Sequence, residues 1–132
     1  MEARNHALAD KRVTDKIWNV KKPIVAAING LCLGGGLECA MSCDLGTASS
    51  KTRFGRPEIN IGIMPGGADT RCLLRMIGVY QGQSALLHRG YDWANEALAM
   101  GFINLFSGLI PRSLLREKYR LEVVATPLLA AG

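Results

Sequence analysis

Residues 22–70 read KPIVAAINGLCLGGGLECAMSCDLGTASSKTRFGRPEINIGIMPGGADT. Ile24 to Ile28 is short, apolar and without alternation, which predicts a strand buried on both faces. The strand runs into Asn29-Gly30, and Gly34-Gly35-Gly36 then opens a helix. Leu37, Ala40 and Met41 give that helix an i, i+3, i+4 apolar stripe, and it stops before Asp44. Glu38 falls in its first turn. Further on, Arg56-Pro57-Glu58 presents a second carboxylate, expected on extended chain, ahead of a glycine turn at Pro65-Gly66-Gly67.

The triple glycine has three readings. Glycines let a helix approach a strand closely. They also occur in dinucleotide fingerprints, but G-x-G-x-x-G is absent here, and no acidic residue follows a second strand at the required place. Thirdly, free N–H groups at a helix N-terminus, unobstructed by side chains, can face a carbonyl oxygen that gains negative charge. The glutamates also have plain structural roles. The helix dipole favours Glu38 by about 0.3–1 kcal/mol, and Glu58 could be a surface acid paired with Arg53 or Arg56. As a pair beside glycine turns, they could instead hold and accept a proton at one substrate.

Working outward, residues 7–20 carry a loose helical stripe of Leu8, Val13, Ile17 and Trp18, ended by Lys21-Lys22-Pro23. Leu45 to Ser49 and Thr52 to Phe54 read as short strands around a Ser50-Lys51 turn. Thr70 to Ile77 reads as a helix stopped by Gly78, with Asp69 or Thr70 as its N-cap. Gln83 to His88 makes another short helix, and Ala94 to Met100 a third, closed by Gly101 at C′. Phe102 to Phe106 reads as a strand, and Pro111 starts a last helix over Arg112 to Val124. Alternating short strands and helices without repeats predict a layered α/β domain.

Bulk composition narrows the function classes. The 132 residues suffice for one domain with a real core, and 48% hydrophobic with 20% charged content is ordinary for a globular protein. The net charge of +5 is dispersed, without a nucleic-acid-binding motif, so no nucleic-acid partner is expected; a phosphate-rich handle would suit the charge equally. Cys32, Cys39, Cys43 and Cys72 form no C-x-x-C pair, and with only His6 and His88 as partners no metal site is expected. Buried thiols in a reducing compartment are the simpler reading. No apolar run follows Met1, so no secretory signal is expected, and the apolar stretch 23–41 is broken by Asn29, glycines and Glu38. The expected setting is cytoplasmic, with no membrane partner.

The run K-P-I-V-A-A-I-N-G-x-x-L-G-G-G-x-E, then C-D, then F-G-x-P-E-I-x-x-G-I-x-P-G, resembles the enoyl-CoA hydratase/isomerase (crotonase) family. The likeness continues through Leu73 to Gly78 and Glu96 to Gly101, and covers about residues 20–125. It implies a crotonase-like spiral of short strands and helices, here as a single partial domain over residues 1–132. It also implies addition of water to the α,β double bond of an enoyl-CoA thioester, of the kind met in fatty acid metabolism. By position, Gly35 would give one of two oxyanion-hole N–H groups, Glu38 would activate water, and Glu58 would exchange the α-proton. Gly66 would line the same pocket. The implied partner is an acyl-CoA substrate, with no resident cofactor or metal, and a homotrimer or hexamer if the fold is complete enough.

Some features depart from the family pattern. The family's preceding region, with an A-x-A-D-like loop giving the second oxyanion N–H, has no clear counterpart. Ala7-Leu8-Ala9-Asp10 imitates that loop but lies too close to Lys22 and precedes Lys11-Arg12. The family's C-terminal helices are likewise not expected within these residues. Ala68-Asp69 interrupts a usually all-glycine turn and brings a carboxylate toward Glu38 and Glu58. With half the oxyanion hole absent, the chain alone is expected to hydrate crotonyl-CoA poorly. Two alternatives follow: a truncated, inactive module that oligomerises or binds acyl-CoA, and an enoyl-CoA isomerase, which needs only the acid at Glu58.

Overall fold

The structure is a computed structural model that describes residues 11–66, 69–88, 90–108 and 124–125. Helix α1 occupies 11–18, within the expected 7–20 window; the part of that window before Lys11, with the Ala7–Asp10 segment, lies outside the described residues. β1 (Val25–Ile28) is buried at every position, as a strand covered on both faces must be. It lies between β3 (Leu45–Ser49) and β7 (Val124–Ala125), and β6 (Leu105–Ser107) adds beyond β3, giving the order β6-β3-β1-β7. All these pairings are parallel.

A parallel β1–β3 pair needs a crossover. Here it consists of β2 (Leu31–Leu33) and α2 (Gly35–Met41). Its return is latched by Asp44, whose carboxylate accepts from the Ile24 N–H at 2.7 Å while its own N–H donates to the Ile24 carbonyl at 3.0 Å. β2 belongs to a second sheet, ordered β2-β4-β5, with β4 (Arg53–Gly55) parallel to β2 and antiparallel to β5 (Tyr91–Trp93). The strands on either side of Ser50-Lys51 thus divide between two sheets.

A buried polar clip joins the sheets. The fully buried Thr52 hydroxyl donates to the Ile28 carbonyl at 3.0 Å, accepts from the Gly30 N–H at 3.4 Å and lies 3.1 Å from the Ser49 hydroxyl. Across the core, Phe54 and Phe102 pack edge to face with centroids 5.1 Å apart. Ala26, Ile28, Leu37, Ala48, Leu73 and Ala97 complete the same cluster.

Several expectations are corrected. Glu58 is not on extended chain: Pro57–Ile61 is a 3-10 helix, because Pro57 presets φ at its start and left-handed Gly62 (φ 69°) ends it. Neither Asp69 nor Thr70 is an N-cap, since Asp69–Leu73 is already a π-helical turn leading into α3 (Leu74–Ile77). α4 begins at Val79, directly after Gly78 (φ 87°), and ends at Leu87. α5 (Ala94–Ala99) ends as expected, with Gly101 at φ 82°. The following strand starts later than Phe102, because the N–H groups of Phe102 and Ile103 turn back to the Ala97 carbonyl. Asn104 then aligns β6, bonding Gly46 through both its backbone N–H and its side chain. Of the last expected helix, residues 112–123 lie outside the described residues, and Val124 is in a strand. Among the described residues no helix is long and apolar enough to cross a membrane.

Replacing Thr52 by Val should lower unfolding stability by about 1–3 kcal/mol, since it strands buried groups around Gly30 and Ile28. Thr52→Ser, which keeps the hydroxyl, should cost less. Urea denaturation reads both, and an unchanged Thr52→Val midpoint at equal slope would show that the clip is dispensable.

Candidate functional site

The site is built around Gly34. The β2–β4 ladder ends with Leu33 opposite Gly55, and the Gly34 N–H continues it by donating to the Gly55 carbonyl at 3.2 Å. Gly34 takes φ 49° and ψ −123°, a backbone state reserved in practice for glycine. That turn redirects the chain from β2 into α2, and the Gly34 carbonyl accepts from the Glu38 N–H at 3.0 Å. Gly35 and Gly36, the first helical residues, have N–H groups without acceptors inside the helix. A Cβ on either would meet nothing within 4 Å. Close packing therefore does not explain them among the described residues.

At Gly34 the space is filled by Glu58. A Cβ there would stand 2.9 Å from Glu58 Oε1. The 3-10 helix, started by Pro57 just past the end of β4, lays the Glu58 carboxylate over the head of α2. Glu58 Oε2 is buried, and no described residue hydrogen-bonds it. An unpaired buried carboxylate oxygen is costly and suits a place where water or substrate arrives. The expected pairing with Arg53 or Arg56 is replaced by other contacts. Arg56 lies 3.7 Å from the Asp92 carboxylate and donates to the Ala85 carbonyl at 3.4 Å, while Arg53 stacks 4.1 Å above the Trp93 ring. Asp92 is held above the usual carboxylate range by burial, against the pull of Arg56 and His88 and with a further push from Glu96.

Glu38, only 7% exposed, enters from the first turn of the same helix. Gly34 thus brings the two expected carboxylates to one helix end. Sequence reasoning passed over Gly34 as an individual residue; the signal was the glycine placed directly after a strand, where a positive φ is needed. Gly66 is exposed, and a Cβ there would meet nothing within 4 Å. The side chain of Asp69, with Gly67 and Ala68, lies outside the described residues. A separate cavity of about 80 Å³ near Asp44, Gly46 and Asn104 contains none of the site residues and is far below ligand-pocket size. At the other end of α2, the Cys43 thiol donates to the Cys39 carbonyl at 3.4 Å, and burial, aided by Cys39 and Asp44, pushes it up to about 11.

A family model described as enoyl-CoA hydratase/isomerase matches residues 3–123. The short-chain-enoyl-CoA hydratase of Clostridium acetobutylicum is 39% identical over 104 residues, which cover 79% of this chain and 40% of that protein. The fatty acid oxidation complex subunit alpha of Shewanella loihica is 42% identical over 118 residues, covering 88% of this chain and 16% of that one. Among solved structures, the enoyl-CoA hydratase of Bacillus anthracis superposes with a TM-score of 0.80 at 29% identity, over 90% of this chain and 45% of that one. The Thermoplasma volcanium enoyl-CoA hydratase gives 0.81 at 26%, over 90% and 47%. The chain thus spans less than half the length of these relatives.

Gly34→Ala forces a side chain into left-handed backbone and into Glu58, so stability should fall by about 1–3 kcal/mol. Gly36→Ala, facing open space, should cost less; equal stabilities in urea would contradict the role given to Gly34. The Cys43 thiol adds a pH signature. Its folded pKa is raised from 9.0 to about 11, so its contribution to stability is complete below pH 9 and is lost as pH rises through 11. Cys43→Ala should flatten that part of the stability–pH curve relative to the parent, and superimposable curves would remove Cys43 as its cause.

Proposed function

The chain belongs to the enoyl-CoA hydratase/isomerase family, and from that premise we propose that it adds water across the α,β double bond of an enoyl-CoA thioester. The observation that carries the proposal is the Glu58 carboxylate, seated on Gly34 at the head of α2 with one buried oxygen that no described residue hydrogen-bonds. In this reading the thioester carbonyl lies against the Gly35 N–H. As electron density moves onto that oxygen, a well-aimed donor contributes about 2.7–4 kcal/mol of transition-state stabilisation.

Glu38 takes a proton from the attacking water while its oxygen bonds to the β-carbon. The π electrons of the double bond pass through the α-carbon to the carbonyl oxygen, giving an enolate. Glu58, holding a proton, delivers it to the α-carbon as the carbonyl reforms. One carboxylate ends protonated and the other ionised, so one proton transferred between them through solvent restores the starting state. The thioester is the substrate, and these steps call for no resident cofactor. Gly66 is assigned to the wall of the same pocket by its match to the family motif.

Hydration of crotonyl-CoA by the purified chain, expected to be slow with one of the two oxyanion donors, is followed by product chromatography to test this reading. Glu38→Gln and Glu58→Gln should each lower the rate by about 10²–10⁴-fold, the usual weight of a positioned acid or base. A parent rate retained in either variant would remove that residue from the mechanism. Binding of crotonyl-CoA without turnover would favour a non-catalytic acyl-CoA-binding module. Double-bond migration that survives Glu38→Gln but not Glu58→Gln would favour the isomerase.

A further inference from the structure

Both partners of the Gly34–Gly55 hydrogen bond are glycines, so neither brings a side chain to cover it. The bond also stands at the end of the β2–β4 ladder, where strands fray first and water competes most easily. The place of each missing side chain is taken from another element. Glu58 Oε1 lies 2.9 Å from where a Cβ of Gly34 would stand. At Gly55 the Tyr91 ring does the same, with Cδ1 at 2.5 Å and Cε1 at 2.9 Å from the Cβ position, and Leu33 Cδ2 closes in at 3.1 Å.

Backbone geometry does not ask for a glycine at 55, a buried strand residue whose φ lies outside the left-handed region. Space does. In the antiparallel register Gly55 stands directly opposite Tyr91, and an aromatic ring laid across a cross-strand glycine restores packing that the missing side chain forfeits. Tyr91 is 49% exposed, so its ring covers the end of the strand and does not fill the core. The contacting atoms are ring carbons, which gives the work to the ring and not to the hydroxyl.

We propose that Tyr91 is a positioning residue for the head of α2: with Leu33, its ring keeps water off the Gly34–Gly55 bond and so holds the Gly35 N–H and the seat of Glu58 in place. The proposal rests on the reading of Gly35 and Glu58 as the groups that meet the thioester. A hydrogen bond screened from water is electrostatically stronger than a wet one. When it opens, the Gly34 turn is free to move, the Gly35 N–H moves with it, and Glu58 loses the surface it rests on. A shift of about 1 Å in such groups can cost a hundredfold in rate.

The test follows Tyr91→Ala, Tyr91→Phe, Gly55→Ala and the double variant Gly55→Ala/Tyr91→Ala, each as the full chain, by amide hydrogen exchange and by crotonyl-CoA hydration. In Tyr91→Ala the Gly34 amide should exchange about tenfold or more faster relative to the amides of β1 in the other sheet, since a loss of global stability alone would speed both together. There, kcat should fall about tenfold or more while KM changes less than about twofold. Tyr91→Phe, which keeps the ring, should match the parent in both. Gly55→Ala should push the ring aside and free the Gly34 amide likewise. Adding Tyr91→Ala should then remove the collision and recover stability in urea that Gly55→Ala loses. A Gly34 amide as protected in Tyr91→Ala as in the parent overturns the proposal, as does a parent kcat beside a freed amide. Tyr91→Phe behaving like Tyr91→Ala, or stability losses that simply add in the double variant, overturns it too. If the parent chain shows no hydration, the proposed activity fails on that result, while the exchange rates still decide whether Tyr91 holds the bond. If Tyr91→Ala does not fold, Tyr91→Leu, apolar but without a flat face, replaces it with the same fast Gly34 exchange expected, and parent-like protection there overturns the proposal.

Discussion

One backbone hydrogen bond, from the Gly34 N–H to the Gly55 carbonyl, joins everything the site needs. On one side it closes the β2–β4 ladder and fixes where α2 begins, so the Gly35 and Gly36 N–H groups and Glu38 take their places. On the other it sets the end of β4, from which Arg56, Pro57 and Glu58 follow in order. Two short segments far apart in sequence are thereby brought into register at a single residue. Because Gly34 has no side chain, the Glu58 carboxylate can rest where a Cβ would stand. Any other residue there would be strained by its backbone and would collide with the acid.

The readability of the sequence follows from the strength of its local signals. β1 was legible because four consecutive buried positions leave no other economical structure. The bounds of α2 followed from its apolar spacing and opening glycines, and Gly101 announced the end of α5. β2 and β5 were missed, being three residues each and held by pairing with β4, not by any periodicity of their own. The 3-10 turn at Glu58 was missed for a related reason. A proline before an acid permits extended chain, and only the positive φ of Gly62 shows that the segment winds and stops. The candidate carboxylates were legible as residue types near glycines, but the placing of Glu58 beside the head of the helix that carries Glu38 depends on the β2–β4 pairing.

Charge shows the same division between local and tertiary information. Two arginines near Glu58 make an ion pair the natural expectation from sequence. The fold instead brings both to β5, one against an aromatic face and one against a half-buried carboxylate. Asp92 is raised by burial despite its cationic partner, so the Arg56–Asp92 pair is not an obvious source of stability. Buried pairs commonly fail to recover their desolvation cost.

The pairing of β4 with both β2 and β5 connects the site to the rest of the second sheet. The buried Thr52 hydroxyl sets the position of Arg53 and Phe54 at the start of β4, and the β4–β5 register then determines which residues face the arginines. A single-residue slip of β5 would exchange Asp92 and Trp93 between faces. The acid would move outward to Arg53, and Arg56 would meet an indole in place of an anion. The core thus does more than hold the helix that presents Glu38. Through the register of a three-residue strand, it also sets which side chains meet Arg53 and Arg56.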